Sequence, residues 1–297
     1  MRFLSLLVGM LPLASGAVIS RQTTSTIFKF SSPGVSAENI AIRPSGQLLV
    51  TFMDAAQLYS IDPSTKTGTK LVTFPGFTST AGITEVSPDV FAVVAGNYSG
   101  SGGNKAGSWA IWKVDLTGAA PKTEVVKRFA DSTMFNGLTT LNNDTVLIGE
   151  GKGSVIRLSI SNGSSSTAIQ DASMAPPSSA PIPLGIDGVR YFNGTVYFTN
   201  IFKNTFSKVP VDATGKATGA VVPIWTNNLG DDFTFGADGS AYVAGSGKLL
   251  KVTADGKVST AATISSPTSC AFGRGSADKG ILYVTSSGSV VSVPISS

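Results

Sequence analysis

The chain carries one pattern of apolar and polar positions that occurs six times. Each copy has a polar opening, a short apolar strand, a turn, a second strand of β-branched and aromatic residues, another turn and a third strand. The first apolar residues are separated by 43, 55, 51, 44 and 37 positions, at Ile40, Ile83, Leu138, Val189, Phe233 and Cys270. Short alternating runs without a sustained helical period indicate strands. Strand repeats of this length are typical of propeller blades.

The ends of the chain predict how the ring closes. Five copies are followed by a fourth strand, whereas the sixth copy has none of its own before Ser297. The apolar segment 26–30 precedes the first copy and can pair beside residues 290–294. We therefore predict an all-β, six-bladed β-propeller over residues 18–297, closed by an N-terminal strand that completes the last blade. Such closure removes an exposed sheet edge that would otherwise invite aggregation.

The polar openings share one position that is rich in oxygen-bearing side chains. Two residues before the first apolar residue, the copies carry Glu38, Ala81, Asn136, Asp187, Asp231 and Thr268. If every first strand runs from one face of the ring, here called the top, these side chains converge on the axis. Asn-Gly and Asp-Gly are also ordinary turn residues, but Glu38 lacks the Gly. Four such side chains at one aligned position favour a binding site over four independent turns.

Composition narrows the chemistry that such a site can perform. Apolar residues make up 42% of the chain, charged residues 13%, and there is no histidine. Ser-His-Asp hydrolysis and histidine metal sites are therefore excluded. A metal site would be built from oxygens, which favours calcium or another divalent hard cation. The net charge of +4 is scattered, so nucleic-acid binding has little support.

The N-terminal sequence and four sequons predict secretion. Residues 1–17 combine a basic residue, a short apolar stretch and small residues, as in a cleavable signal peptide. The apolar stretch is too short to span a bilayer well, so no membrane association is expected. The sequons begin at Asn97, Asn143, Asn162 and Asn193. Strand direction places all except the first on the bottom face. We expect a secreted glycoprotein that is a monomer or homodimer.

The openings resemble those of the regucalcin/gluconolactonase group. The resemblance rests on the motifs Glu38-x-Ile, Asn136-Gly-Leu, Asp187-Gly-Val and Asp231-Asp-Phe in a predicted six-bladed ring. The resemblance implies a divalent cation, such as calcium, held by Glu38, Asn136 and an acid from Asp187 or Asp231. At Asp187 an amide is more usual in that group. The implied activity is that of a metal-dependent lactonase or esterase.

A further resemblance covers nearly the whole chain. The segments 91–97, 108–115, 135–141, 196–200 and 231–235 are similar to a fungal branch of secreted propellers that includes hetero-Diels–Alderases of tropolone-sesquiterpenoid biosynthesis. This resemblance implies a cyclase that needs no cofactor and joins a tropolone quinone methide to a humulene-type alkene. Such a cycloaddition requires an apolar cavity that aligns two small molecules, and donors aimed at the oxygen that gains charge.

Candidate residues for these roles lie on the predicted top face. The candidate donors are Asn136, Asn200, Lys203 and Tyr98. The candidate substrate contacts are Phe52, Met53, Phe135, Phe202 and Asp187. Core packing is the alternative role for the apolar members. Three functions remain open at this point, which are the cyclase, the metal-dependent lactonase or esterase, and a non-catalytic binding propeller.

Overall fold

The computed structural model describes residues 23–31 and 35–295, and the predicted signal peptide lies outside them. The strand β1 (Ser25–Lys29) belongs to the last blade. Blade 1 contains β2 (Ala37–Ile42), β3 (Leu48–Phe52), β4 (Gln57–Asp62) and β5 (Thr67–Thr73). Blade 2 contains β6 (Ser79–Ser87), β7 (Val90–Gly96), β10 (Ala110–Asp115) and β11 (Lys122–Arg128). A two-stranded ribbon between β7 and β10 is formed by β8 (Tyr98–Ser99) and β9 (Gly103–Asn104).

The other blades repeat the antiparallel, four-stranded plan. Blade 3 contains β12 (Phe135–Thr140), β13 (Thr145–Glu150), β14 (Ser154–Ser159) and β15 (Ser165–Gln170), and it is followed by a short 3-10 helix (Ala172–Met174). Blade 4 contains β16 (Ile186–Phe192), β17 (Thr195–Asn200), β18 (Thr205–Pro210) and β19 (Val222–Trp225). Blade 5 contains β20 (Phe233–Phe235), β21 (Ala241–Gly245), β22 (Lys248–Val252) and β23 (Val258–Thr263). Blade 6 adds β24 (Pro267–Phe272), β25 (Ile281–Ser286) and β26 (Ser289–Pro294) to β1.

Ring closure by the N-terminal strand is confirmed. The strand β1 pairs antiparallel with β26, with Ser25 opposite Ser292 and Lys29 opposite Ser289. Aromatic packing fixes the segment in place, because the ring of Phe30 lies 4.8 Å from that of Phe52 in edge-to-face geometry. Such pairs stabilise a core beyond the area that they bury. The closing strand is therefore held by both backbone pairing and side-chain packing.

The recurring glycines of the openings lie within strands and do not form the turns that Asn-Gly and Asp-Gly pairs often make. Gly137 and Gly188 lie within the innermost strands β12 and β16. A Cβ on Gly137 would stand 2.3 Å from the carbonyl oxygen of Asp187, and one on Gly188 would stand 2.8 Å from the Cα of Asp232. Each glycine therefore lets its strand approach the backbone of the next blade. This close approach narrows the ring around its axis.

Candidate functional site

The innermost strands bring residues of the openings towards the axis, and the pairing of several of these strands is irregular there. Register shifts separate Ala37 from Ile40 in β2, Phe135 from Leu138 in β12 and Ile186 from Val189 in β16. A bulge interrupts the strict alternation of a strand and re-aims its side chains. The first residues of the openings form an upper layer near the top, and the second residues contribute to a lower layer.

The upper layer is a compact group of acids. One carboxylate oxygen from each of Glu38, Asp187 and Asp231 lies within 4.8 Å of the others. Glu38 and Asp187 are buried, Asp231 is half-buried, and the Asn136 amide donates a hydrogen bond of 3.0 Å to Glu38 Oε1. The convergence of this predicted quartet is therefore observed. We call Glu38, Asn136, Asp187 and Asp231 the carboxyl layer.

Burial raises the pKa values of the three acids in the carboxyl layer. Burial raises the pKa of Glu38 to about 7, a hydrogen bond from Asn136 opposes the rise, and the charge of Asp232 adds to it. Burial, followed by repulsion from neighbouring carboxylates, raises the pKa of Asp187 and of Asp231 well above the usual aspartate range. Glu38 therefore retains its proton up to about pH 7, and a neutral carboxyl group can donate a hydrogen bond.

The carboxyl layer also fits a hard divalent cation. Calcium accepts several oxygen ligands at about 2.3–2.6 Å, and oxygens on one ion lie within about twice that distance of each other. The three carboxylate oxygens satisfy this spacing. Asp187 Oδ1 is buried and has no hydrogen-bond partner among the described residues. A buried oxygen of this kind ordinarily carries a penalty, which a proton donor or a cation would relieve.

Below the carboxyl layer, the axis holds a second polar cluster that the sequence analysis did not predict. Asp232 Oδ2 accepts hydrogen bonds from Asn39 Nδ2 at 2.7 Å and from Ser269 Oγ at 2.9 Å. Arg190 Nη2 lies 2.5 Å from the same oxygen, and both side chains of the ion pair are largely buried. The Arg190 guanidinium also donates to the carbonyl oxygens of Val189 and Leu138. We call Asn39, Arg190, Asp232 and Ser269 the ion-pair layer. It cross-links four blades beneath the carboxyl layer.

Apolar side chains from several top loops pack on one hydrophobic cluster. Met53, Tyr98 and Phe202 are partly buried and pack on the same hydrophobic cluster, as do Ile182 and Ile201. We call these five residues the apolar collar. The structure thus places two of the predicted contact residues, Met53 and Phe202, and the predicted donor Tyr98 in the top loops. The predicted walls Phe52 and Phe135 are instead fully buried: the ring of Phe52 packs on Phe30, and that of Phe135 on Phe129, so both are core residues.

Two predicted donors form a separate cluster that anchors a loop. The Asn200 amide donates to the carbonyl oxygens of Ser173 and Ala175, at 3.0 and 2.9 Å. Lys203 Nζ donates to the carbonyl oxygen of Ala172 at 2.7 Å. These contacts pin the 3-10 helix that follows blade 3. Asn200 and Lys203 therefore stabilise the 171–184 segment in this structure, while Asn136 is the predicted donor that reaches the acids.

The sequons occupy the faces expected from strand direction. Asn143 and Asn162 lie in the turns that connect β12 to β13 and β14 to β15, and Asn193 lies between β16 and β17. These turns are all on the bottom face. Asn97 precedes β8 on the top face. Whether these asparagines carry sugars remains a prediction, and so does secretion. Among the described residues, no helix is long and apolar enough to cross a bilayer.

Comparisons with known proteins place this geometry in context. The chain is 25% identical over 302 aligned residues to a Phoma sp. protein described as a "Putative hetero-Diels-Alderase", and the alignment covers 88% of this chain and 85% of that protein. No protein-family model matches the chain.

Solved structures show the same fold. Regucalcin from Agrobacterium tumefaciens, a calcium-binding protein, superposes with a TM-score of 0.65 and 16% identity, over 91% of this chain and 96% of its own. A gluconolactonase from Xanthomonas campestris superposes with a TM-score of 0.66 and 12% identity, over 93% of this chain and 90% of its own. The chain is a six-bladed propeller like regucalcin and gluconolactonase, and its sequence is similar to that of the Phoma sp. protein described as a "Putative hetero-Diels-Alderase".

Proposed function

We propose that this protein is a cofactor-independent cyclase of the hetero-Diels–Alder type, acting on a tropolone quinone methide and a humulene-type alkene. The observation that carries the proposal is the carboxyl layer at the end of a propeller axis, on the same face as the apolar collar. The similarity to the Phoma sp. protein supports the same reaction type. The partners are small molecules, and the site of action is the secretory pathway or the exterior of the cell.

The reaction needs no redox step and no net proton transfer. The heterodiene is the exocyclic methylene carbon, two ring carbons and the carbonyl oxygen of the quinone methide. The alkene forms one C–C bond to the methylene carbon and one C–O bond to the oxygen, while the π electrons of the three double bonds reorganise. Charge gathers on the carbonyl oxygen in an asynchronous transition state. Donors that stabilise this charge lower the barrier.

The residues of the mouth divide this work. A neutral carboxyl group of Glu38, Asp187 or Asp231 donates a hydrogen bond to the carbonyl oxygen and keeps its proton throughout the reaction. Asn136 orients Glu38 through its amide. Met53 and Phe202 hold the alkene against the heterodiene. Alignment of two molecules in a reactive pose removes much of the entropic part of the barrier.

A direct assay tests this function. The purified protein is incubated with a tropolone quinone-methide precursor and a humulene-type alkene, and the adducts are separated by chiral chromatography from those of the uncatalysed reaction. Glu38→Gln and Asp187→Asn keep the shape of the layer but replace the acidic O–H donor with the weaker N–H donor of an amide. Each is expected to lower the rate by at most roughly 5- to 150-fold, because a whole oriented hydrogen bond is worth about 1–3 kcal/mol.

A matched control is available on the opposite face. Asp212 is an exposed aspartate in a bottom turn, where its carboxylate accepts a hydrogen bond from the Thr214 backbone. Asp212→Asn is expected to leave the rate and product ratio unchanged. An unchanged rate and product ratio in the presence of the unmodified protein would eliminate the cyclase function for this pair of substrates.

The second candidate function is a divalent-metal-dependent lactonase or esterase, and the oxygen spacing of the carboxyl layer favours it. Glu38, Asp187, Asp231 and the Asn136 oxygen would hold the ion. A bound calcium would act as a Lewis acid towards an ester carbonyl. Chelation distinguishes the two functions: it should abolish hydrolysis of a simple lactone if this function is correct, and it should leave cycloaddition nearly intact if the first is correct.

A further inference from the structure

A cavity lies at the bottom face, between blades 4 and 5. Its volume is about 530 Å³, and Phe192, Tyr197 and Phe235 contribute to its walls. The rings of Phe192 and Phe235 stack with centroids 4.4 Å apart and planes inclined by 10°. Tyr197 meets Phe235 edge-on at 4.7 Å. All three residues are half-buried, so this groove has an apolar aromatic floor. Its volume is in the range of small-molecule sites.

The tip of a hairpin brings a sugar-acceptor residue to this groove. Asn193 and Gly194 form the turn between β16 and β17, with φ angles of +47° and +73°. Positive φ at both central residues is the signature of a type I′ hairpin turn. Asn193 is exposed, lines the groove and follows Phe192 directly. Thr195 completes the sequon. A glycan attached to Asn193 would therefore begin at the edge of the aromatic floor.

We propose that the glycan of Asn193 lies in this groove, with its first N-acetylglucosamine stacked on the Phe192–Phe235 pair. The C–H groups on one face of a pyranose are apolar and weakly positive, and they complement the negative face of an aromatic ring. Lys208 and Asp255 at the edges of the groove offer a donor and acceptors to the sugar hydroxyl and acetamido groups. The proposal rests on passage through the secretory pathway and is independent of the chemistry at the top face.

A second bottom-face sequon provides a contrast. Asn162 lies in the turn after β14, where its side-chain oxygen accepts a hydrogen bond from the Ser164 backbone at 2.8 Å. Ser161, Gly163 and Ser164 surround it in sequence and offer no aromatic ring. A glycan on Asn162 is therefore expected to extend into solvent. The two sites share a face and a host cell, and they differ in the aromatic floor.

The test compares these two sites in the glycosylated protein. Protein from a fungal host is trimmed to one N-acetylglucosamine per site, and the unfolding temperatures of the unmodified chain, Asn193→Asp and Asn162→Asp are measured. Each protein is also produced without sugars in a bacterial host and measured, which separates the effect of the sugar from that of the substitution. Loss of the Asn193 sugar is expected to lower the unfolding midpoint by about 2–4 °C, whereas loss of the Asn162 sugar should not change it.

A third variant tests the contact itself. Phe235→Leu keeps apolar volume but removes the aromatic face, so the stabilisation by the Asn193 sugar should disappear in this background. Peptide mapping establishes which sites are occupied. An unoccupied Asn193, equal effects of the two sugars, or full stabilisation in Phe235→Leu would each overturn the proposal. These outcomes do not bear on the cyclase, which is assayed with substrates that bind at the opposite face.

Discussion

Asp231 and Asp232 are neighbours in the chain, yet they belong to electrostatically opposite layers of the axis. Asp232 shares its Oδ2 atom with the Arg190 guanidinium, the Asn39 amide and the Ser269 hydroxyl. Asp231 faces Glu38 and Asp187, and burial together with these carboxylates raises its pKa. A buried acid with a cation and donors is a structural element. A buried acid among other acids has to hold a proton or a cation.

The difference indicates how one fold separates stability from chemistry. The ion-pair layer uses its charges to connect blades, and its polar atoms are engaged with one another. The carboxyl layer keeps acidic oxygens close together, including Asp187 Oδ1, which lacks a partner among the described residues. Strongly perturbed acids in a concave site are candidates for function. The comparison therefore predicts that the lower layer controls folding and that the upper layer controls pH dependence and ligand binding.

The largest expected effect is a loss of unfolding free energy when the ion-pair layer is broken. Arg190→Met leaves Asp232 buried without its cation, and loss of one partner of a buried ion pair costs about 3–5 kcal/mol of unfolding free energy. The measurement is denaturant unfolding at pH 7. The control is Lys113→Met, which breaks an ion pair with Glu124 whose side chains are 35% and 64% exposed. Such surface pairs contribute about 0–1 kcal/mol. Equal losses in both variants would contradict the distinction between the layers.

The second expected effect is a fall in stability as the pH rises. The unfolded chain releases the Glu38 proton near its ordinary pKa of 4.5, whereas the folded chain retains it up to about pH 7. The stabilisation is therefore present below pH 4.5 and is lost as the pH rises through 7. For Glu38 alone this loss amounts to about 3 kcal/mol. Chemical unfolding between pH 4 and 9 measures it. Glu38→Gln should flatten the curve, and an unflattened curve would assign the pH dependence to other groups.

The sequence predicted the fold and the upper layer for the same physical reason. Six similar openings followed by β-strands require a ring, and a ring brings residues at one aligned position to one axis. This argument applied to Glu38, Asn136, Asp187 and Asp231, and the structure brings them together. It also predicted closure by β1, because a blade without its fourth strand leaves an edge open.

The lower layer could not be predicted by the same argument. A strand alternates its faces, and strict alternation would point Asn39 and Asp232 away from the face of their neighbours Glu38 and Asp231. Irregular pairing at the openings breaks that alternation, and sequence alone gives no signal for it. The contacts of Asn200 and Lys203 with residues 172–175 are also set by tertiary packing. A useful signal would have been Arg190, a charged residue one position after the apolar start of an innermost strand.

The third expected effect concerns a cation at the upper layer. At pH 8, where more of the protons have left Glu38, calcium should bind and stabilise the folded chain by about 2.7 kcal/mol at 100 times its dissociation constant. At pH 5 the stabilisation should be much smaller, because calcium must displace protons. Calorimetric titration in two buffers of different ionisation enthalpy measures both the binding and the proton release. If calcium binds equally well at both pH values, the bound oxygens are not those of the carboxyl layer.

The smallest expected effect concerns Asp187, and it tests whether this acid destabilises the folded chain when it is ionised or stabilises it through a partner. Asp187→Asn replaces an acid by an uncharged group of the same shape. At pH 8, where burial and the neighbouring carboxylates make ionisation of Asp187 unfavourable in the folded state, we expect a gain in unfolding free energy. At pH 4, where the buried acid is already neutral, the gain should vanish. Denaturant unfolding at the two pH values measures it, with Asp212→Asn as the exposed control. A loss of stability at pH 8 would show that the Asp187 carboxylate has a stabilising partner, and the two layers would then not differ as proposed.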